Sequence, residues 1–387
     1  MKKIVYVTGS RAEYGIMKRL LVALDQDPEI ELTIVATGMH CDEKYGLTYK
    51  VIENDGLKID RLIDIDIDTS SNATILNSMS ICQSEFGLYF QNKKFDAVMI
   101  LGDRYEIFSV AIAAAMHNLP IIHLHGGEKT LGNYDEFIRH AITKMSKLHF
   151  ASTEEYRQRI IQMGEHPDTV FNVGALGAEN SLLMSLPSKV QLENKFGLLE
   201  KPYFMVVFHP ETLTSASPSV QITELLNALT EFTEQYDFVF IGSNSDTGSG
   251  EITEKVKIFC ADTGSRFMTS VKPEEYLAIN KYSNGLIGNS SSGLIEAPSL
   301  KIPTINIGER QKGRVRGETV IDCICKEKEI INSITNSQAE DMQQKVMNSV
   351  NPYYQQAVLN NIVLEIKGFF NHPIELCKDF HDIKISK

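Results

Sequence analysis

Apolar residues in the first half of the chain fall into short unbroken runs, separated by longer stretches where they recur every three or four positions. The runs are "KKIVYVTG" (2–9), "ELTIVATG" (31–38), "FDAVMILGD" (95–103) and "LPIIHLHGG" (119–127). "GIMKRLLVALDQD" (15–27) carries the helical spacing. Runs without polar alternation predict strands covered on both faces, as in a parallel sheet flanked by helices. The same grammar restarts with "KPYFMVVFHP" (201–210), "YDFVFIGSN" (236–244), "NGLIGNS" (284–290) and "KIPTINIG" (301–308). Between the halves, "LPSKVQLENKFGLLE" (186–200) is less apolar and reads as a linker, and a last helix is expected near "NPYYQQAVLNNIVLEIKGFF" (351–370). The pattern predicts an α/β protein of two doubly wound, Rossmann-like domains facing a cleft. Their expected bounds are 1–185 and 200–365, with a tail over 366–387 that packs back on the first domain.

The segments after the strands are the unusual ones. "TGSRAEYG", "LGDRYE", "HLHGGE", "FHPET", "IGSN" and "GNSSSG" each follow an apolar run. Doubly wound sheets bind ligands at the carboxyl ends of their strands, so these segments predict one composite site.

Composition narrows the partners. With 38 basic and 50 acidic residues the net charge is −12, which disfavours nucleic acid or an anionic membrane as a partner. An anionic substrate then needs a local basic pocket. "IVYV" is too short for a signal peptide and "VAIAAAM" (110–116) too short to span a bilayer. The cysteines at 41, 82, 260, 323, 325 and 377 lack zinc-type spacing and are read as reduced thiols of a cytoplasmic protein. No G-x-G-x-x-G follows a strand, and "GERQKGR" (308–314) lacks the Lys-Ser/Thr of a P-loop.

Two chemistries remain. Ser290, Ser291 and Ser292 are either an ordinary helix cap or, with Gly288 and Gly293 allowing close approach, an anion site at a helix N-terminus. Arg310, Lys312, Arg314 and Arg316 follow the next strand, where they are either a solvated loop or a diphosphate clamp. Glu296, six residues past Ser290, could accept ribose hydroxyls. In the first half, Asp103, Arg104, His123, His125, Glu128, Asp135 and Glu136 gather at strand tips, with Arg11 at the first tip and His209 and Asn244 at tips of the second half. Carboxylates around a cleft suit general acid–base work. Caps for Asp103 and Asp135, and a core role for His123, are the plainer alternatives. His123 and His125 share a strand face but have no third ligand at metal spacing.

"TGSRAEYG", "GDRYE", "HLHGGE", "IRHAITK", "FHPET", "GNSSSGLIE" and "GERQKGR", in this order, resemble the hydrolysing UDP-N-acetylglucosamine 2-epimerases of bacterial sialic acid biosynthesis. The resemblance runs from residue 1 to about 370. It implies the GT-B fold, a homodimer or homotetramer, and conversion of UDP-N-acetylglucosamine to UDP and N-acetylmannosamine with no metal or other cofactor. It assigns Arg11, Arg104, His209, Asn244, Ser290, Ser291, Glu296 and Arg310 to UDP, and Asp103, Glu128 and Asp135 to the sugar. Many relatives carry glutamate where this chain has His125, and one extra residue separates Glu128 from "IRHAITK". Either His125, as an imidazole that ordinarily titrates near neutrality, or Glu128 then takes that glutamate's task. Alternatives of the same shape are a UDP-2,4-diacetamido-trideoxyhexose epimerase, a non-hydrolysing epimerase, a GT-B glycosyltransferase and a sugar-nucleotide-binding regulator.

Overall fold

The computed structural model describes residues 1–131, 133–197, 201–211, 216–242, 248–375 and 377–383. Seven parallel strands form the first sheet: β1 (Lys2–Thr8), β2 (Ile30–Thr37), β3 (Ile59–Ile63), β4 (Ala97–Leu101), β5 (Ile121–Leu124), β6 (Leu148–Ala151) and β7 (Val170–Asn172), in the order β3-β2-β1-β4-β5-β6-β7. Six more form the second: β8 (Tyr203–Val207), β9 (Asp237–Ile241), β10 (Arg266–Met268), β11 (Leu286–Gly288), β12 (Thr304–Ile307) and β13 (Val320–Cys323), in the order β10-β9-β8-β11-β12-β13.

The unbroken apolar runs have the expected cause. Along β1, Ile4 and Tyr6 enter one core while Val5 and Val7 enter the core on the opposite face. Along β8, Tyr203, Met205 and Val207 are divided in the same way from Phe204 and Val206. Each sheet is therefore covered by helices on both sides, and its polar residues are pushed to the strand ends.

Two stretches depart from the sequence reading. Within the expected linker, Lys189–Phe196 is a helix, opened by Ser188 and Gln191 in a capping box and closed by Gly197 at φ +61°. Leu192 and Phe196 pack on the second sheet's core, so this stretch is part of the second lobe. The last helix, Val358–Phe370, returns as a whole to the first lobe, where Val358, Ile362 and Ile366 pack beside Leu20, Leu21 and Leu24. Beyond it, Lys378 donates to the carbonyls of Lys144 and Ser146 and pairs with Glu165 at 2.6 Å.

The lobes meet through Leu294 and Ile295 of the second, packed on Ala151, Tyr156, Ala175 and Ala178 of the first. Arg11 reaches across to donate to the Val271 carbonyl at 2.7 Å. The strand ends of the two sheets thus open onto one cleft. Among the described residues no helix is long and apolar enough to cross a membrane.

Candidate active site

The first lobe's share of the cleft starts at the β1 tip. Ser10 caps the helix Arg11–Asp25, and Glu13 accepts from the Gly9 and Ser10 amides at 2.7 and 3.1 Å. Among the described residues the other Glu13 oxygen has no hydrogen-bond partner, and the Arg104 Nε lies 4.0 Å from it. Burial, reinforced by the neighbouring Glu106, pushes the Glu13 carboxyl up to about 8 despite Arg104. Arg104 follows β4 and pairs with Glu106.

At the β5 tip the chain turns sharply: His125 sits at φ +65°, a conformation unusual for a residue with a Cβ. The turn aims its Nδ1 at Glu128 Oε1, 2.9 Å away. Ser152 Oγ donates to the same oxygen at 2.8 Å, and Arg314 of the second lobe lies 2.8 Å from Oε2. Burial alone would raise the Glu128 carboxyl; Arg314 and then His125 outweigh it and hold the group well below the usual carboxylate range. His123, one pleat earlier, faces inward: Nε2 bonds the Gly102 carbonyl at 2.8 Å, and burial pushes its pKa down to about 3. It is a core histidine.

Asp103 is not a helix cap, because Arg104 occupies the N-cap of Tyr105–Met116. Its carboxylate pairs with Arg139, which is fully buried and also donates to the Glu128 carbonyl at 2.8 Å, to Thr130 and to Glu136 at 3.0 Å. Arg139 received no role in the sequence reading. Its signal was the four-residue spacing from Asp135, which puts both on one face of the helix Asp135–Met145. Glu136 is held by Arg139, His140 and the Thr130 amide, so it supports the loop.

The serine triplet differs from its expected form. The helix it opens runs only Ser292–Ile295 before a second piece, Ala297–Leu300. Pro298 lacks the N–H that would continue the first piece, and Glu296 sits at the break. Ser291 makes no side-chain cap bond; the Ser292 amide donates instead to Ser290 Oγ at 3.4 Å, and Tyr276 donates to Ser292 Oγ at 2.8 Å. Gly288 and Gly293 do not serve ligand approach. A Cβ on Gly288 would lie 2.0 Å from the Val207 carbonyl oxygen, and one on Gly293 would lie 2.5 Å from Thr304. Both glycines are required by the fold.

The basic loop also divides. Lys312 pairs with Glu309 and Arg316 with Asp322, whereas Arg310 donates to the Asn289 carbonyl at 3.1 Å and lies 3.8 Å from Asp135. His209 exchanges two hydrogen bonds with Asn289 through its backbone, and burial beside Arg310 and Arg104 pushes its imidazole well down, into the neutral form.

Two adjoining cavities gather these groups. One is lined by Arg11, His209, Ser290, Ser291, Glu296 and Arg310. The other is lined by Asp103, Arg104, His125, Glu128, Asp135 and Arg314. Ser291 and Arg310 belong to both walls. All the proposed site residues meet here except Asn244, which lies outside the described residues. The arrangement suits an elongated anion, with hydroxyls and guanidinium groups at one end and carboxylates with an imidazole at the other. Among the described residues no three His, Cys, Asp or Glu side chains gather as metal ligands.

A protein-family model described as UDP-N-acetylglucosamine 2-epimerase matches residues 22–367. The chain is 59% identical over 383 residues to polysialic acid biosynthesis protein P7 of Escherichia coli, covering 99% of this chain and 98% of that protein. It is 38% identical over 324 residues to the GDP/UDP-N,N'-diacetylbacillosamine 2-epimerase (hydrolyzing) of Campylobacter jejuni, covering 83% and 84%. The crystal structure of UDP-GlcNAc 2-epimerase from Neisseria meningitidis bound to UDP-GlcNAc superposes with a TM-score of 0.79 at 19% identity, covering 95% of this chain and 100% of that one. The fold is thus the two-lobed, GT-B-like arrangement of those enzymes.

Proposed function

This chain belongs to the UDP-N-acetylglucosamine 2-epimerase family, and on that premise we propose that it is a hydrolysing 2-epimerase, converting UDP-N-acetylglucosamine and water to UDP and N-acetylmannosamine. One observation carries the reading: the anion-binding cavity and the acid–base cavity share the wall made by Ser291 and Arg310. That wall is where the bond between diphosphate and sugar would lie.

In this reading Arg11, Ser290, Ser291 and Arg310 hold the diphosphate, and Glu296 accepts from the ribose. The C1–O bond breaks as negative charge builds on the β-phosphate, where fixed donors stabilise it. A base removes the C2 proton, leaving 2-acetamidoglucal and UDP. Water then adds at C1, and a proton returns to C2 on the opposite face. Retrieving and delivering protons on two faces requires more than one group.

His125 is the better candidate for the place taken by glutamate in relatives. Its Nδ1 is committed to Glu128, which leaves Nε2 for the proton and makes Glu128 the group that fixes the ring. Asp103 and Asp135 supply the further carboxylates. The Campylobacter relative motivates a second reading, the same chemistry on a UDP-2,4-diacetamido-trideoxyhexose.

The test is incubation of the purified protein with UDP-N-acetylglucosamine in D₂O, without metal or acceptor. The expected products are UDP and N-acetylmannosamine carrying deuterium at C2. UDP-N-acetylmannosamine as product would mean a non-hydrolysing enzyme, and turnover dependent on an added acceptor would mean a transferase. Turnover of the diacetamido substrate alone would select the second reading.

A further inference from the structure

The loop from Glu309 to Arg316 is fastened to both lobes. At its start, the Glu309 and Arg310 amides donate to Glu211 at 2.6 and 2.9 Å, and Gln311 donates to the Asn289 carbonyl at 2.8 Å, all within the second lobe. Four residues on, it is bound to the first lobe. The Arg314 Nε donates to the Lys129 carbonyl at 2.9 Å while Nη2 meets Glu128 Oε2. The Val315 amide donates to the Tyr156 hydroxyl at 2.8 Å, and Tyr353 donates to the Val315 carbonyl at 2.7 Å. Gly313 makes the crossing possible: at φ +83° it passes so near Lys129 that a Cβ would come within 2.9 Å.

We propose that Arg314 is a positioning residue contributed by the second lobe, which completes the His125–Glu128 pair of the first lobe when the cleft is closed. Glu128 has two oxygens and both are spoken for: Oε1 takes His125 and Ser152, and Oε2 takes Arg314. Its remaining charged and titratable surroundings are Arg139, which binds its carbonyl, and Tyr156 and Tyr353, with Asp103 beside Arg139 and Arg314. Without Arg314 the enclosed carboxylate would keep only the His125 imidazole and the Ser152 hydroxyl in contact, and burial would favour the protonated acid, which no longer fixes the ring by accepting its N–H.

The loop therefore does two things four residues apart. Arg310 faces the anion-binding cavity and Arg314 sets the acid–base pair, so a diphosphate that draws Arg310 inward also seats Arg314. The site is complete only with both lobes in place. This inference rests on the epimerase reading for its rate effects, but the state of Glu128 can be observed without turnover.

Arg314→Met and Arg314→Lys are compared with the wild type by three readouts: UDP affinity by calorimetry, turnover against pH, and the ¹³C shift of the Glu128 carboxyl in glutamate-labelled protein. The Glu128 signal is assigned by its loss in Glu128→Gln. In wild type that signal should stay that of a carboxylate from pH 4 to pH 8. In Arg314→Met it should titrate within that range, turnover should fall by about 100-fold or more with its acid limb moved upward, and UDP affinity should stay within about threefold. Arg314→Lys should restore most of the carboxylate signal. Unchanged Glu128 titration in Arg314→Met overturns the inference, as does an unchanged pH profile. If wild type acts on no UDP-sugar, the proposed reaction falls, and the carboxyl titration still decides the role of Arg314.

Discussion

Glu13 and Glu128 are two buried carboxyls on the same side of the cleft, at 7% and 1% exposure. Glu128 has a guanidinium and an imidazole in contact, whereas Glu13 has Glu106 nearby and Arg104 only at 4.0 Å. The shifts consequently run in opposite directions. A carboxyl that stays protonated in the fold but ionises in the unfolded chain takes up a proton on folding. Stability is then full below the ordinary carboxylate range and falls as pH rises toward about 8, by about 1.4 kcal/mol per pH unit. Glu13→Gln keeps an oxygen for the Gly9 and Ser10 amides and removes the titration. Urea unfolding should show the variant close to wild type near pH 4 and increasingly more stable toward pH 7.5; a wild-type slope retained in the variant would refute this. Glu128 contributes with the other sign, adding stability at neutral pH that is lost progressively as pH falls below the ordinary carboxylate range. At this scale the sequence was informative where residues sit at strand tips, since Asp103, His125, Ser290 and Arg310 all line the cleft. It was silent on Arg139, whose importance lies in three partners from other segments, Asp103, Glu128 and Thr130, besides Glu136 on its own helix.

Elements were legible in proportion to their length and burial. β1, β2, β4 and β5 show as apolar runs because both faces are covered. β7 and β10, three residues each at sheet edges, carry too few apolar positions to stand out. The serine-tipped helix is short because Pro298 interrupts it, and the helix Lys189–Phe196 does not stand out in the sequence because only Leu192 is buried. Glycines give a sharp test of what is structural. Gly288 joins β11 to β8 at φ +139° with no room for a Cβ, so Gly288→Ala should cost more than the roughly 1–3 kcal/mol of a strained backbone. Gly87, inside the helix Asn72–Asn92 with nothing within 4 Å of its missing Cβ, should gain about 0.5–1 kcal/mol as Ala. Denaturation midpoints shifting in opposite directions would bear this out, and a harmless Gly288→Ala would contradict it.

The whole molecule is a chain that leaves its first lobe, builds the second and comes back. The returning helix Val358–Phe370 places Ile362, 1% exposed, in a core otherwise built by first-lobe residues from Ile4 to Leu176. Ile362→Ala should therefore weaken the first lobe by about 2–5 kcal/mol. Hydrogen exchange should speed up in β1 and the helix Arg11–Asp25 and stay unchanged in β8 and β9; faster exchange in the second sheet alone would contradict the assignment. The same return path brings Tyr353 against Tyr156 and Val315 at the lobe boundary, so closure and fold share residues. Two-domain organisation is readable from the restarting strand pattern, and the return to the first lobe is expected only from residue 366 because an amphipathic helix does not encode which lobe it covers; the whole helix from Val358 makes that return.

Everything in the functional account depends on where a nucleoside diphosphate settles, and a crystal structure with UDP bound measures that directly. The account predicts the diphosphate within hydrogen-bond range of Ser290, Ser291 and Arg310, its free end directed toward His125 and Asp103. UDP bound outside the cleft, or with its diphosphate remote from Ser291 and Arg310, would contradict it.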